Sequence, residues 1–154
     1  MSTEEIKAIM ERAVRTEESS YSLYLTASRR VKDPGARAGL ADLAEEERRH
    51  KEKLERLLMG NLEWAVSVGR KGAVKDLRIG EVLESRPMTE ESDLRDVLAY
   101  AIKREEATGI FYAQMAALAD PGPVRDVFHL LAREEARHKQ VVEEIYEQDV
   151  YQDF

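Results

Sequence analysis

The sequence predicts an all-α protein of four long helices, paired as two antiparallel hairpins and joined by a long crossover. Three observations carry that expectation. Only 8 Gly and 4 Pro interrupt 154 residues, and Ala, Leu, Glu, Lys and Arg dominate, a balance that favours helix. Four segments place apolar residues at alternating steps of three and four, the spacing that keeps one helix face against a core. Finally, the second half repeats the first at an offset of 88 residues, the mark of a duplicated unit.

The first helix is expected over about residues 3–31, with Ser2 and Glu5 as a capping box. Asp33-Pro34-Gly35 ends it, because Pro and Gly punctuate helices. The second covers about residues 36–59 and stops at Gly60. The third starts near Ser92 and ends before Asp120-Pro121-Gly122-Pro123. The fourth covers about residues 124–147. The chain thus divides into a hairpin over 3–59, a crossover over 61–91 and a hairpin over 92–147, within one domain of 1–154. A short link joins antiparallel neighbours, while a link of some thirty residues can return along a whole bundle. A short helix is expected near 79–83. Trp64, Val66 and Val68 are expected to cover the bundle surface or a subunit interface.

Bulk composition removes several functional classes. The formal net charge is −7 with both signs interspersed, so no basic stripe invites nucleic acid. No apolar run is long enough to span a bilayer, and the acidic start Met1-Ser2-Thr3-Glu4-Glu5 does not read as a signal peptide. A cytoplasmic location is expected. There is no cysteine, which excludes disulfides, thiolate-bound zinc and iron–sulfur clusters from these residues.

The seams carry the chemistry. The second helix reads Ala36, Leu40, Leu43, Glu47, His50, Leu54, Leu57; the fourth reads Val124, Phe128, Leu131, Glu135, His138, Val142, Ile145. The first gives Ile6, Met10, Ala13, Glu17 and Tyr24, and the third Leu94, Leu98, Ala101, Glu105, Thr108, Tyr112 and Met115. Every helix therefore carries a carboxylate in the middle of its apolar face. A buried, unpaired carboxylate is costly and normally pairs, takes up a proton or binds a cation. The duplication aligns Glu17 with Glu105, Tyr24 with Tyr112, Glu47 with Glu135 and His50 with His138, so the sets should face one another about a pseudo-twofold axis.

Glu and His three residues apart lie about 60° apart around a helix and about 4.5 Å apart along it, so both can reach one metal. Four carboxylates balance two divalent cations, whereas one cation would leave two negative charges. The expected centre holds two metal ions in Glu17, Glu47, His50, Glu105, Glu135 and His138. Carboxylate and imidazole suit iron or manganese, with zinc as a further candidate. The adjacent acids Glu18, Glu45, Glu46, Glu106 and Glu134 are expected to be solvated or paired with Arg and Lys. His129 is expected at the surface, and Tyr21 and Tyr100 in packing or interface roles.

A Glu on the first and third helices with Glu-x-x-His on the second and fourth resembles the ferritin-like di-iron proteins. The wording Ala44-Glu45-Glu46-Glu47-Arg48-Arg49-His50 and Ile102-Lys103-Arg104-Glu105-Glu106 looks most like rubrerythrin-type members. The resemblance implies a ferritin-like four-helix bundle. Glu47 and Glu135 would be bridging ligands, Glu17 and Glu105 terminal ligands, and His50 and His138 would serve one metal each. Tyr24 and Tyr112 would hydrogen-bond to the carboxylate ligands. It further implies a homodimer and an oxidoreductase acting on peroxide, dioxygen or ferrous iron, with an external electron donor. A non-catalytic protein for iron sequestration or delivery is the alternative. The sequence departs from rubrerythrins in lacking a cysteine-rich rubredoxin module and in placing Thr108 where they carry a further glutamate.

Overall fold

A computed structural model of the chain describes residues 1–71 and 93–150. These residues form five α-helices and no strand: α1 (Thr3–Arg30), α2 (Pro34–Met59), α3 (Glu63–Lys71), α4 (Leu94–Leu118) and α5 (Pro123–Ile145). A π-helical turn, Tyr146–Val150, follows α5.

The helix ends follow from local chemistry. Ser2 caps α1 by accepting the Glu5 amide at 3.1 Å, and its hydroxyl donates to the Glu5 carboxylate at 3.2 Å, the reciprocal pair of a capping box. Asp33 caps α2 by accepting the Ala36 amide at 2.8 Å. That cap admits Pro34 as the first helical residue, where its missing N–H is no loss, so α2 begins two residues earlier than the periodicity suggests. Asp93 caps α4 through the Arg95 amide, which moves the start from Ser92 to Leu94. The second Asp-Pro-Gly turn is used differently from the first. Here Gly122 takes the cap position with φ 148°, a conformation side chains rarely adopt, and Pro123 opens α5.

α1 packs along α2 and α4 along α5; the two pairs then meet through α1 against α4 and α2 against α5. The short helix α3 was not foreseen from the pattern. It docks on α1 and α4, burying Ala65 and Val68 and setting Trp64 edge-on to Phe128, with ring centroids 5.8 Å apart. Val66 faces outward. Gly69 admits the Met1 backbone, whose ammonium donates to the Gly69 carbonyl at 2.8 Å; a Cβ there would lie 2.2 Å from the Met1 oxygen. The expected helix near 79–83 lies outside the described residues.

The interior is two apolar cores with a polar layer between them. One core contains Ile6, Met10, Ala13, Leu54, Phe111, Met115, Phe128 and Leu131. The other contains Leu23, Ala27, Leu40, Leu43, Leu98, Ala101 and Val142. The 88-residue offset exchanges the two: Met10, Ala13 and Leu54 map onto Leu98, Ala101 and Val142, and Leu40 and Leu43 onto Phe128 and Leu131. Such an exchange requires the pseudo-twofold axis to pass through the polar layer. Symmetry extends to the surface, where Lys51 pairs with Glu18 at 2.9 Å and Lys139 with Glu106 at 3.8 Å. Among the described residues it stops at the ends, since α3 covers the first core and has no counterpart on the second.

Candidate metal centre

The layer between the cores holds Thr16, Glu17, Ser20, Glu47, His50, Arg104, Glu105, Thr108, Glu135 and His138, all buried. The six ligand residues expected from the sequence therefore come together, one Glu from each of α1 and α4 and a Glu–His pair from each of α2 and α5. The heptad register places these six side chains inside, whereas the neighbouring Glu18 and Glu106 are exposed.

Their contacts are reciprocal. His50 Nδ1 lies 2.9 Å from Glu135, and His138 Nδ1 lies 2.6 Å from Glu47. Each histidine thus addresses the glutamate of the opposite hairpin. The imidazoles stack, with centroids 5.3 Å apart and planes 7° from parallel. The Tyr112 hydroxyl donates to Glu17 at 2.6 Å, and the Tyr24 hydroxyl donates to Glu105. Thr108 donates to Glu135 at 3.2 Å and bonds the Arg104 carbonyl at 3.0 Å.

Two neighbours depart from the sequence expectation. Glu46 and Glu134 are not merely solvated or paired with surface cations. Glu134 meets His50 Nε2, and Glu46 meets His138 Nε2 at 2.8 Å while also taking Arg137 at 2.6 Å. They hold the outward nitrogens of the imidazoles from across the α2–α5 contact. The repeat contained the signal, since Glu46 and Glu134 are themselves related by 88 residues. Periodicity on one helix could not reveal it, because the partner lies on another helix. His129 is exposed as expected, and Tyr100 receives the Arg104 guanidinium over its ring at 4.6 Å. Arg104 was not singled out by its position in the pattern.

Burial and mutual repulsion reshape the acid–base properties. Burial, reinforced by the charges of Glu105 and Glu17, lifts Glu47 well above the usual carboxylate range. Burial lifts Glu105 to about 8 despite the Tyr24 hydrogen bond. Burial also acts upward on Glu17, but Glu47 and His50 beside it pull it below its ordinary value. His50 is raised to about 9: burial opposes the cation, yet Glu134 and Glu17 outweigh it. His138 falls to about 4, through burial and then repulsion by His50. Tyr24 and Tyr112 are raised by burial and by the carboxylates they touch, so both stay protonated donors.

The donor set fits a pair of cations by two independent features. Glu17, Glu47, His50 and Glu135 offer ligand atoms within 4.8 Å of one another, and so do Glu47, Glu105, Glu135 and His138. Glu47 and Glu135 belong to both groups, which is the arrangement of bridging carboxylates. The buried Oε2 atoms of Glu17 and Glu105 have no hydrogen-bond partner. Such orphaned acceptors are costly, and these two are the symmetry-related oxygens that a cation on each side would satisfy.

Fold and site together define an all-helical protein with a buried carboxylate–histidine cluster compatible with a di-metal centre. The family model described as Rubrerythrin matches residues 2–77 and 96–152. The chain belongs to the rubrerythrin family. No curated protein and no solved structure matches it.

Proposed function

We propose that this chain is a ferritin-like four-helix bundle whose two antiparallel hairpins hold a di-iron centre, and that it acts as an oxidoreductase on peroxide, dioxygen or ferrous iron. The observation that carries this reading is the sharing of Glu47 and Glu135 by two four-ligand groups. Manganese or zinc would fit the same donors; iron brings redox chemistry with peroxide or dioxygen, which zinc does not.

The roles follow from the contacts. Glu47 and Glu135 would be shared by the two ions, Glu17 and Glu105 would each serve one, and His50 and His138 would each offer Nδ1. Tyr24 and Tyr112 fix the terminal carboxylates by donating to one oxygen and leaving the other free. Glu46 and Glu134 retain the Nε2 protons and so orient the rings, a function outer carboxylates serve at many metal sites. Glu47 and Glu105 release their protons when the centre fills. The apolar cores on either side keep bulk water from the layer. When bound, a ferrous pair supplies two electrons to peroxide or dioxygen. The electrons are replaced by an external donor, and a homodimer in the cytoplasm is the expected setting. Among the described residues no helix is long and apolar enough to cross a membrane.

Anaerobic titration with ferrous iron tests the site, with two ions per chain expected; uptake of one or none overturns it. Mixing the loaded protein with peroxide tests the activity. Repeated rapid oxidation supports an oxidoreductase, whereas a single slow turnover favours iron sequestration or delivery.

A further inference from the structure

The duplication fails at a buried position beside the expected ligands. Thr16 and Arg104 are related by the 88-residue offset and face each other between α1 and α4. Both are buried, Arg104 at 3% exposure. The guanidinium lies 4.6 Å from the Tyr100 ring centroid and reaches the Thr16 carbonyl oxygen at 3.5 Å. No carboxylate among the described residues comes within ion-pair distance of it. A buried guanidinium normally takes a bidentate carboxylate, and an isolated one is expensive. Among the described residues, the negative charge nearest to it in the chain is the carboxylate layer, since Glu105 follows it on α4 and Glu17 follows Thr16 on α1.

We propose that Arg104 is the resident counter-cation of the carboxylate centre, stabilising the metal-free layer and weakening its affinity for divalent metal. The inference rests on the paired-metal reading above. Its physical basis is Coulombic. One positive charge in a low-dielectric interior attracts the ionised carboxylates of the layer and repels any cation that joins them. Thr16 cannot supply the same charge in the first hairpin, so the two halves of the centre are electrostatically unequal although their ligands match.

A purely structural arginine and a counter-cation differ in one respect. Removing a packing residue lowers stability and leaves affinity unchanged or reduced. Removing a counter-cation lowers the stability of the metal-free protein and raises affinity. The test uses the full chain with Arg104→Met, which retains the stem without the charge, and Arg104→Lys, which retains the charge. Unfolding is followed without metal, and Zn²⁺, which undergoes no redox change, is titrated against a chromophoric chelator. We expect Arg104→Met to unfold more easily without metal yet to bind Zn²⁺ about tenfold more tightly or better. Arg104→Lys should stay within about threefold of the parent affinity. Unchanged or weaker binding by Arg104→Met overturns the proposal. Arg104→Gln, a neutral variant that keeps a donor for Thr16, is read by the same criterion. Folding of the neutral variants only once Zn²⁺ is added supports the proposal, and failure to fold even with Zn²⁺ overturns it. If the parent protein itself does not bind two ions, the paired-metal reading fails instead, and the two failures are distinct.

Discussion

Tyr112 donates its hydroxyl to Glu17 at 2.6 Å, joining α4 of the second hairpin to α1 of the first through a wholly buried bond. Tyr24 does the same for Glu105 in the opposite direction. Each hairpin therefore positions a buried carboxylate of the other. Neither half builds a complete site alone.

Tyr112→Phe keeps the ring's packing against Phe111 and Phe128 and removes only the donor. Glu17 then loses the hydroxyl donor on its Oε1. The metal-free protein should lose about 1–3 kcal/mol, measured by urea denaturation. Binding of two ions should persist, and the deficit should shrink when metal satisfies Glu17.

The ligand glutamates are not equivalent. Glu47 serves both four-ligand groups, but Glu17 serves one. Glu47→Ala should abolish paired binding, while Glu17→Ala should leave one ion per chain. Anaerobic Co²⁺ or Fe²⁺ titration counts the ions, and loss of both in Glu17→Ala would contradict the division into two groups.

The acid–base shifts give a pH dependence whose sign can be worked out. Glu105, at about 8, and His50, at about 9, hold protons in the folded metal-free state that the unfolded chain would release earlier. Their stabilising contribution is full below the unfolded values and is lost as pH rises through about 8 and 9. His138, at about 4, acts the other way: its contribution is full above its unfolded value and is lost as pH falls through about 4. The metal-free protein should therefore be more stable near pH 6 than near pH 9, as thermal melts would show. Metal must displace the protons on Glu47, Glu105 and His50, so affinity should rise with pH over the same interval. Calorimetry in buffers of different ionisation enthalpy should detect proton release.

Glu46 and Glu134 touch no metal in this reading, yet they set the imidazole orientation. Glu134→Ala should weaken divalent-metal binding by about 10- to 100-fold with the stoichiometry kept at two. An equal loss from Glu45→Ala would count against an orienting role, because Glu45 bonds only to exposed Arg48.

The inner seam positions are buried as the alternation of three and four residues requires: Leu40, Leu43 and Leu54 on α2, and Phe128, Leu131 and Val142 on α5. Where a seam runs off the end of a helix it opens, and Ala36, Leu57, Leu94 and Val124 are only half-buried. The helix starts shifted by one or two residues because Asp33 and Asp93 cap through side chains, which hydrophobic spacing does not register. The spacing does not mark α3, because its 9 residues are fewer than a helical period needs to be read along the chain.

The sequence by itself determined the four long helices, their inward faces and the six Glu and His residues buried between the cores, because each depends on spacing within one helix and on a repeat visible along the chain. Tertiary structure alone decided which oxygen and nitrogen atoms meet. The crossing of Tyr24 to Glu105, of Tyr112 to Glu17, and of Glu46 and Glu134 to the opposite histidines joins residues more than eighty positions apart. It also decided that Arg104 turns inward beside the carboxylates, since a charged residue's burial is set by the charges that surround it and not by its own helix's pattern.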